Sequence, residues 1–189
     1  MNSGVIHIGL DMDGVLIDHA AQKQTLARTA GYTLSLKQTG SAHLVKLMPN
    51  PEYRLLQAKL YDDPDISLRS PLMPGVHELL SGFRRRNVRY TLVSRRRRPD
   101  WAAHILRHHK LWPDFFTEEN AFFVTRPEEK NHVALRVGIT HYLDDEVKIL
   151  RILEDVPHKF LMDPYGMYAP TAWYAVMRSL PEFLRLIAS

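Results

Sequence analysis

The chain has 189 residues, enough for one domain or for a core domain carrying a smaller insert. With 45% hydrophobic and 24% charged residues it has a globular balance that excludes wholesale disorder, and no apolar run reaches the roughly 20 residues that span a bilayer. It has no cysteine, which excludes a disulfide scaffold, cysteine-ligated zinc, iron–sulfur clusters and thiol catalysis. The net charge of +4 is unevenly placed: residues 84–110 hold ten arginines and lysines against one acid, Asp100, so an anionic partner is expected there if anywhere. Met1 to Leu10 lacks the charged and apolar regions of a secretory signal, so the cytoplasm is the expected compartment.

Taken in chain order, VIHIGL (residues 5–10) reads as a buried strand ending at Asp11. A helical pattern follows from about His19 to Ala30, with Gly31 to end it. Residues 35–70 are punctuated by Pro49, Pro51 and Pro64 and contain a helical stretch near Glu52 to Leu60. Val76, Leu79, Leu80 and Phe83 recur at helical spacing. Arg89 to Val93 is a second strand, and a helix opens at Pro99 and runs to about Lys110. Ala121 to Thr125 is a third strand, followed by a helix from Glu128 to Val137 closed by Gly138. Thr140 to Leu143 and Lys159 to Met162 are the fourth and fifth strands, with a helix from Glu146 to Glu154 between them. The last stretch, Thr171 to Ile187, reads as amphipathic and is interrupted or restarted at Pro181.

This alternation predicts an α/β fold, a three-layer Rossmann-like core with a central parallel sheet. Residues 17–72 break the alternation and are expected to form a small, mostly helical cap. The core is then residues 1–16 and 73–189.

In such a sheet, ligands bind beyond the carboxyl ends of the strands. The first strand ends in Asp11, Asp13 and Gly14, the second in Ser94 and Arg95, the fourth in Asp144 and Asp145. Four carboxylates brought together would repel one another, and a bound divalent cation removes that cost. Hard oxygen donors point to Mg²⁺, and a cation beside a hydroxyl and a lysine suits a phosphoryl group. An aspartate can act as nucleophile if a second acid, two positions on, handles the proton; Asp11 and Asp13 have that spacing. His104 and His108 stand four apart on a predicted helix, but with only Asp100 nearby they are read as surface residues. His7, His141 and the aromatics Trp101, Trp112, Phe115 and Phe116 are read as packing, and Arg96 to Arg98 as solvated.

DMDGVLID (Asp11 to Asp18) resembles motif I of the haloacid dehalogenase superfamily of phosphatases. TLVS, ending at Ser94, is similar to motif II, Lys130 to the motif III lysine, and HYLDDE, with Asp144 and Asp145, to motif IV. The resemblance implies a fold with the first strand between the second and fourth, and helices inserted between motifs I and II as a cap. It implies that Asp11 is nucleophile and metal ligand, and that Asp13 is general acid/base with its backbone carbonyl on Mg²⁺. Ser94 and Lys130 would hold the transferring phosphoryl group, with Arg95 close enough to touch a substrate anion. Asp144 and Asp145 would complete the metal site. The function implied is a Mg²⁺-dependent phosphatase acting on a small phosphorylated substrate through an aspartyl-phosphate. Asp13 disfavours dehalogenation, because the superfamily's dehalogenases lack that second aspartate. Alternatives are a 5′-nucleotidase, suggested by the short match of FLMDPYG (Phe160 to Gly166) to deoxynucleotidase-like members, a nucleic-acid end phosphatase, a sugar phosphomutase sharing the same motifs, and a non-catalytic phosphate-binding protein. Nucleic acid is a less favoured partner than a small molecule, and no membrane partner is expected.

Overall fold

The computed structural model describes residues 5–188. In chain order the elements are β1 (His7–Leu10), α1 (Ala20–Thr29), a 3-10 turn (Leu36–Thr39), α2 (Ser41–Leu47), α3 (Asn50–Asp62) and α4 (Pro64–Ser67). There follow α5 (Val76–Arg85), β2 (Arg89–Arg95), α6 (Pro99–His108), β3 (Ala121–Val124), α7 (Glu129–Val137) and β4 (His141–Asp144). The chain finishes with α8 (Val147–Ile152), β5 (His158–Met162), β6 (Ala175–Met177) and α9 (Leu180–Ile187). The six strands form one sheet in the order β3-β2-β1-β4-β5-β6, and every neighbouring pair is parallel. The core is therefore the Rossmann-like α/β sheet that the alternating pattern predicts. No helix among the described residues is long and apolar enough to cross a membrane.

β1 is buried along its whole length because it lies between β2 and β4 with helices on both faces of the sheet. Ile8 and Leu10 face the cluster formed with Val76, Leu79, Leu80 and Phe83 of α5 and Leu180 and Phe183 of α9. Each such buried Leu or Phe contributes about 1.5–3 kcal/mol relative to exposure. The opposite face packs α7 and α8 through Val133, Ala134, Ile149 and Leu150 against Val93, Tyr142 and Leu161. Gly9 points to this face, and a Cβ there would run into the Tyr142 ring. The missing side chain lets Tyr142 lie across β1, where its hydroxyl donates to the Val93 carbonyl at 2.7 Å. α7 ends as its sequence predicts: Gly138 takes the left-handed conformation (φ +77°).

The chain leaves the sheet at Ile17 and returns beside it at Leu72, where the two residues form an antiparallel bridge. Asp18 N–H donates to the Pro71 carbonyl and Met73 N–H to the Leu16 carbonyl, both at 2.8 Å. Between these crossing points α1 to α3 share a small apolar cluster of Ala27, Leu34, Leu44, Met48, Tyr53 and Leu56.

The carboxyl-terminal stretch differs from the single amphipathic reading. Ala175–Met177 is a sixth strand paired with Phe160–Met162, and the helix begins only at Leu180. Ser179 caps that helix by accepting from the Glu182 N–H, and Pro181 sits in its first turn, where its missing N–H costs nothing. A three-residue strand carries too short a pattern to stand out beside a strongly amphipathic helix. His7 is packed as read, bonded to the Thr91 hydroxyl at 2.8 Å and the Val137 carbonyl at 3.0 Å. His141 is only half-buried and stacks on His158 at 4.4 Å.

Candidate active site

β1 delivers Asp11 to the carboxyl edge of the sheet, where its N–H donates to the Leu143 carbonyl at 3.1 Å. A tight turn follows. Leu16 and Ile17 N–H both donate to the Met12 carbonyl, and Gly14 N–H donates to the Ile17 carbonyl, all at 2.9 Å. Gly14 holds φ +81°, and a Cβ there would run into the Asp145 carboxylate. Glycine thus seats Asp145, from the end of β4, directly against the turn after β1.

Lys130, on the first turn of α7, is buried above Tyr142, its Nζ 5.8 Å from the ring centre. That nitrogen donates to Asp144 Oδ2 at 2.8 Å and lies 3.1 Å from Asp11 Oδ1. The other Asp144 oxygen accepts from the Glu146 N–H at 2.9 Å. Ser94, at the end of β2, is 1% exposed, and its Oγ has no hydrogen-bond partner. Asp11, Asp13, Ser94, Arg95, Lys130 and Asp145 line one chamber of about 40 Å³. Asp144 sits behind it, fully buried under Lys130. The seven residues singled out in the sequence therefore meet around one small space.

One oxygen from each of Asp11, Asp144 and Asp145 lies within 4.8 Å of the others. The electrostatics show what this costs. Burial raises the Asp11 carboxyl, with Lys130 opposing and Asp13 adding to the rise. Burial pushes Asp144 up to about 7 despite Lys130. Asp145 is raised well above the carboxylate range by burial and by Glu146 and Asp144. Burial works against the charge on Lys130, but Asp11 and Asp144 outweigh it and hold the ammonium well above the usual lysine range. Three crowded hard-oxygen donors, short of positive charge, fit a divalent cation such as Mg²⁺. The orphaned Ser94 hydroxyl beside them fits an incoming oxyanion.

The Asp13 carboxylate lies outside this trio. Its Oδ1 accepts from Arg96 Nη2 at 2.5 Å and pairs with His19 Nε2 at 2.6 Å. Burial alone would raise this carboxyl, but the Arg96 charge and the His19 hydrogen bond hold it down at about 2. His19 Nδ1 pairs with the Ser70 hydroxyl at 2.8 Å. Arg96 is buried, not solvated: its other nitrogen donates to the Tyr61 carbonyl at 3.2 Å and its guanidinium covers the Tyr61 ring at 4.9 Å. Sequence reading passed over both residues. The alternation of β2 carried a signal for Arg96, since it shares the side of the strand that Ser94 faces and Arg95 does not. Arg96 N–H continues the ladder to the Val124 carbonyl at 2.9 Å.

The rest of the basic zone is exposed, Arg97 and Arg98 included, and part of it covers aromatic rings. Arg84 lies over Phe115 at 4.6 Å and Arg107 over Trp112 at 5.3 Å. Phe116 is fully buried, while Trp101, Trp112 and Phe115 pack against the core from its edge. His104 stacks on Trp101 at 4.6 Å and His108 is exposed. Among the described residues the one group of three or more side chains placed to hold a metal is Asp11, Asp144 and Asp145.

No profile of a known family matches the sequence, and no curated protein does. Solved structures do match over nearly the whole chain. A conserved haloacid dehalogenase-like protein of unknown function from Agrobacterium tumefaciens is 18% identical, with 98% of each chain covered and a TM-score of 0.66. The chain has the haloacid dehalogenase-like fold. A haloacid dehalogenase family hydrolase from Deinococcus radiodurans, solved with bound phosphate and sodium, is 17% identical over 99% of this chain and 96% of its own, with a TM-score of 0.65. A putative β-phosphoglucomutase from Thermotoga maritima is 14% identical over 97% and 99%, with a TM-score of 0.66. Within this haloacid dehalogenase-like fold, the four stretches that carry the sequence resemblance end β1, β2 and β4 and open α7.

Proposed function

We propose that the protein is a Mg²⁺-dependent phosphatase that hydrolyses a small phosphomonoester through an aspartyl-phosphate on Asp11. The observation that carries this reading is the chamber where Asp11, the unpartnered Ser94 hydroxyl and the Lys130 ammonium converge. The phosphate bound by the Deinococcus radiodurans hydrolase supports it.

Asp11, Asp144 and Asp145 would hold the cation, with the Asp13 backbone carbonyl as a further donor. Mg²⁺ bound there supplies charge to neutralise phosphoryl oxygens and the carboxylate cluster. Lys130 holds Asp11 in place and offers its charge to the transferring group. Ser94 donates its hydroxyl proton to a phosphoryl oxygen, and Arg95 reaches the same anion from the exposed side. A carboxylate oxygen of Asp11 attacks phosphorus, the bond to the leaving oxygen breaks, and Asp13 supplies the proton that this oxygen needs. Asp13 is protonated for this step when the substrate's negative charge enters beside it and opposes the hold of Arg96. As a carboxylate it then takes a proton from water, whose oxygen attacks phosphorus and frees Asp11 and inorganic phosphate.

In this reading residues 1–16 and 73–189 form the catalytic core, and residues 17–72 form the cap that excludes water and selects the leaving group. Tyr61 and Gln57, both on α3, line the chamber and support that role. A panel of phosphomonoesters with and without Mg²⁺ tests the proposal by phosphate release. Asp11→Asn should abolish release while the far-ultraviolet dichroism stays native. Undiminished release by Asp11→Asn, or no metal-dependent release across the panel, would overturn it. The fold of the putative β-phosphoglucomutase keeps transfer to a sugar as the second reading, seen as phosphoryl transfer from a sugar phosphate to a sugar acceptor rather than to water.

A further inference from the structure

A second cavity lies beside the reaction chamber, and the chemistry above leaves it unused. It measures about 370 Å³, within the size of small-molecule sites, roughly 300–1,000 Å³. Val45 of α2 and Met162, Pro164, Tyr165 and Tyr168 at and beyond the end of β5 give it apolar walls. Ser41, Asp145 and Glu146 belong to the linings of both spaces. A molecule with its phosphate in the chamber therefore has the larger cavity as the neighbouring space for its remaining atoms.

Lys23 of α1 is the feature that apolar walls do not explain. Its side chain lines the cavity, is 7% exposed, and makes no hydrogen bond and no ion pair. Lys130, at 1% exposure, has two carboxylates at hydrogen-bond range. The acids that feel the charge of Lys23 are Asp13 and Asp145. Asp13 is already held by Arg96 and His19, and Asp145 belongs to the acidic trio. A cationic side chain that lines a cavity without an ion pair is available to an anion that enters it. Lys37 and Lys46, both exposed, stand on the same lining and add charge of the same sign. Lys148, also there, is paired with Glu146 at 3.0 Å.

We infer that this cavity receives the leaving group of the substrate, and that Lys23 pairs with an acidic group which that leaving group carries on an apolar body. The inference rests on the phosphatase reading for the place of the scissile phosphate. The substrate class is then an amphiphilic phosphomonoester with a second anion, a carboxylate or a further phosphate, at the far end.

Three aryl esters test it: phenyl phosphate, 4-carboxyphenyl phosphate and hydroquinone bisphosphate. Initial rates in Mg²⁺ buffer are compared between the wild type, Lys23→Met and Lys23→Gln. The wild type should prefer at least one acidic ester over phenyl phosphate by about tenfold or more, the range of a charge-assisted hydrogen bond, with the difference in KM. In both variants the ratio should fall to near one, and which ester is preferred identifies the anion. Neither substitution breaks an ion pair, so thermal unfolding should be little changed. Absence of a preference in the wild type, or its survival in the variants, overturns the inference. Calorimetric titration with 4-hydroxybenzoate, the leaving group alone, separates this failure from failure of the phosphatase reading. If no ester is hydrolysed, binding that is lost in Lys23→Met still supports the pocket, and equal or absent binding in both proteins overturns it.

Discussion

Lys130 shows how closely charge is balanced around the chamber. It is the shared partner of two buried carboxylates, Asp11 and Asp144, and both would be left uncompensated without it. Removing one member of such a buried arrangement typically costs about 3–5 kcal/mol. Lys130→Met should therefore lower unfolding stability by about 3 kcal/mol in chemical denaturation without Mg²⁺. Pairing it with Asp144→Asn should restore part of the loss, because the second change removes one of the stranded charges. Additive losses in that double-mutant cycle would mean that Lys130 and Asp144 are not coupled. Asp11, Asp13, Ser94, Asp144 and Asp145 were legible because they stand where apolar strands end. Lys130 was legible only through its fit to a four-part pattern, since one lysine on a helix start carries no local mark. Lys23 and His19 were not legible as site residues, and Arg96 only through the alternation of β2. Their roles come from the segments folded over them, Ser70 over His19 and Tyr61 over Arg96.

Among the elements, the β4–β5 pair carries a pH dependence remote from the chamber. Burial and the neighbouring His158 hold His141 down at about 4, against an ordinary 6.5. The unfolded chain takes up a proton as pH falls through 6.5, whereas the folded strand takes it up only near 4. The contribution of His141 is thus fully present above 6.5 and is lost as pH falls toward 4. His141→Gln should flatten the decline of the melting temperature across that window. An unchanged slope would place the dependence on other buried histidines. The elements themselves follow from periodicity and punctuation where these are strong. The apolar face of α5 is buried at the four positions its spacing marks, and α7 ends at Gly138 as glycine after an apolar-periodic run predicts. β6 shows the limit of such reading. Its three residues are ordered by pairing with β5, a partner about 15 residues upstream, and nothing within Ala175–Met177 requires a strand.

For the whole molecule, the site is an assembly of distant chain segments, since residues 11, 94, 130 and 144 come from four separate elements of one parallel sheet and its helices. It exists only in the native state, so a ligand of the site stabilises the fold by mass action. Mg²⁺ at 100 times its dissociation constant would add about 2.7 kcal/mol. The melting temperature should rise with added Mg²⁺ and fall back with a chelator, and Asp145→Asn should diminish the rise. An equal rise in that variant would move the ion to another part of the surface. The path of the chain between Ile17 and Leu72 also belongs to this scale. The two residues meet in one bridge, so residues 18–71 hang from neighbouring points of the core and bring Tyr61 and Gln57 to the chamber.

The fold class, most of the strands and the acidic strand ends can be read from the linear order of residues, because they depend on local spacing, hydrophobic alternation and the chemistry of a few polar positions. The partners of Asp13, the unpaired state of Lys23, the sixth strand and the second cavity cannot. Each of these depends on which remote segment packs against which, and the burial that makes an ion pair strong or an unpaired charge costly is created by that packing alone.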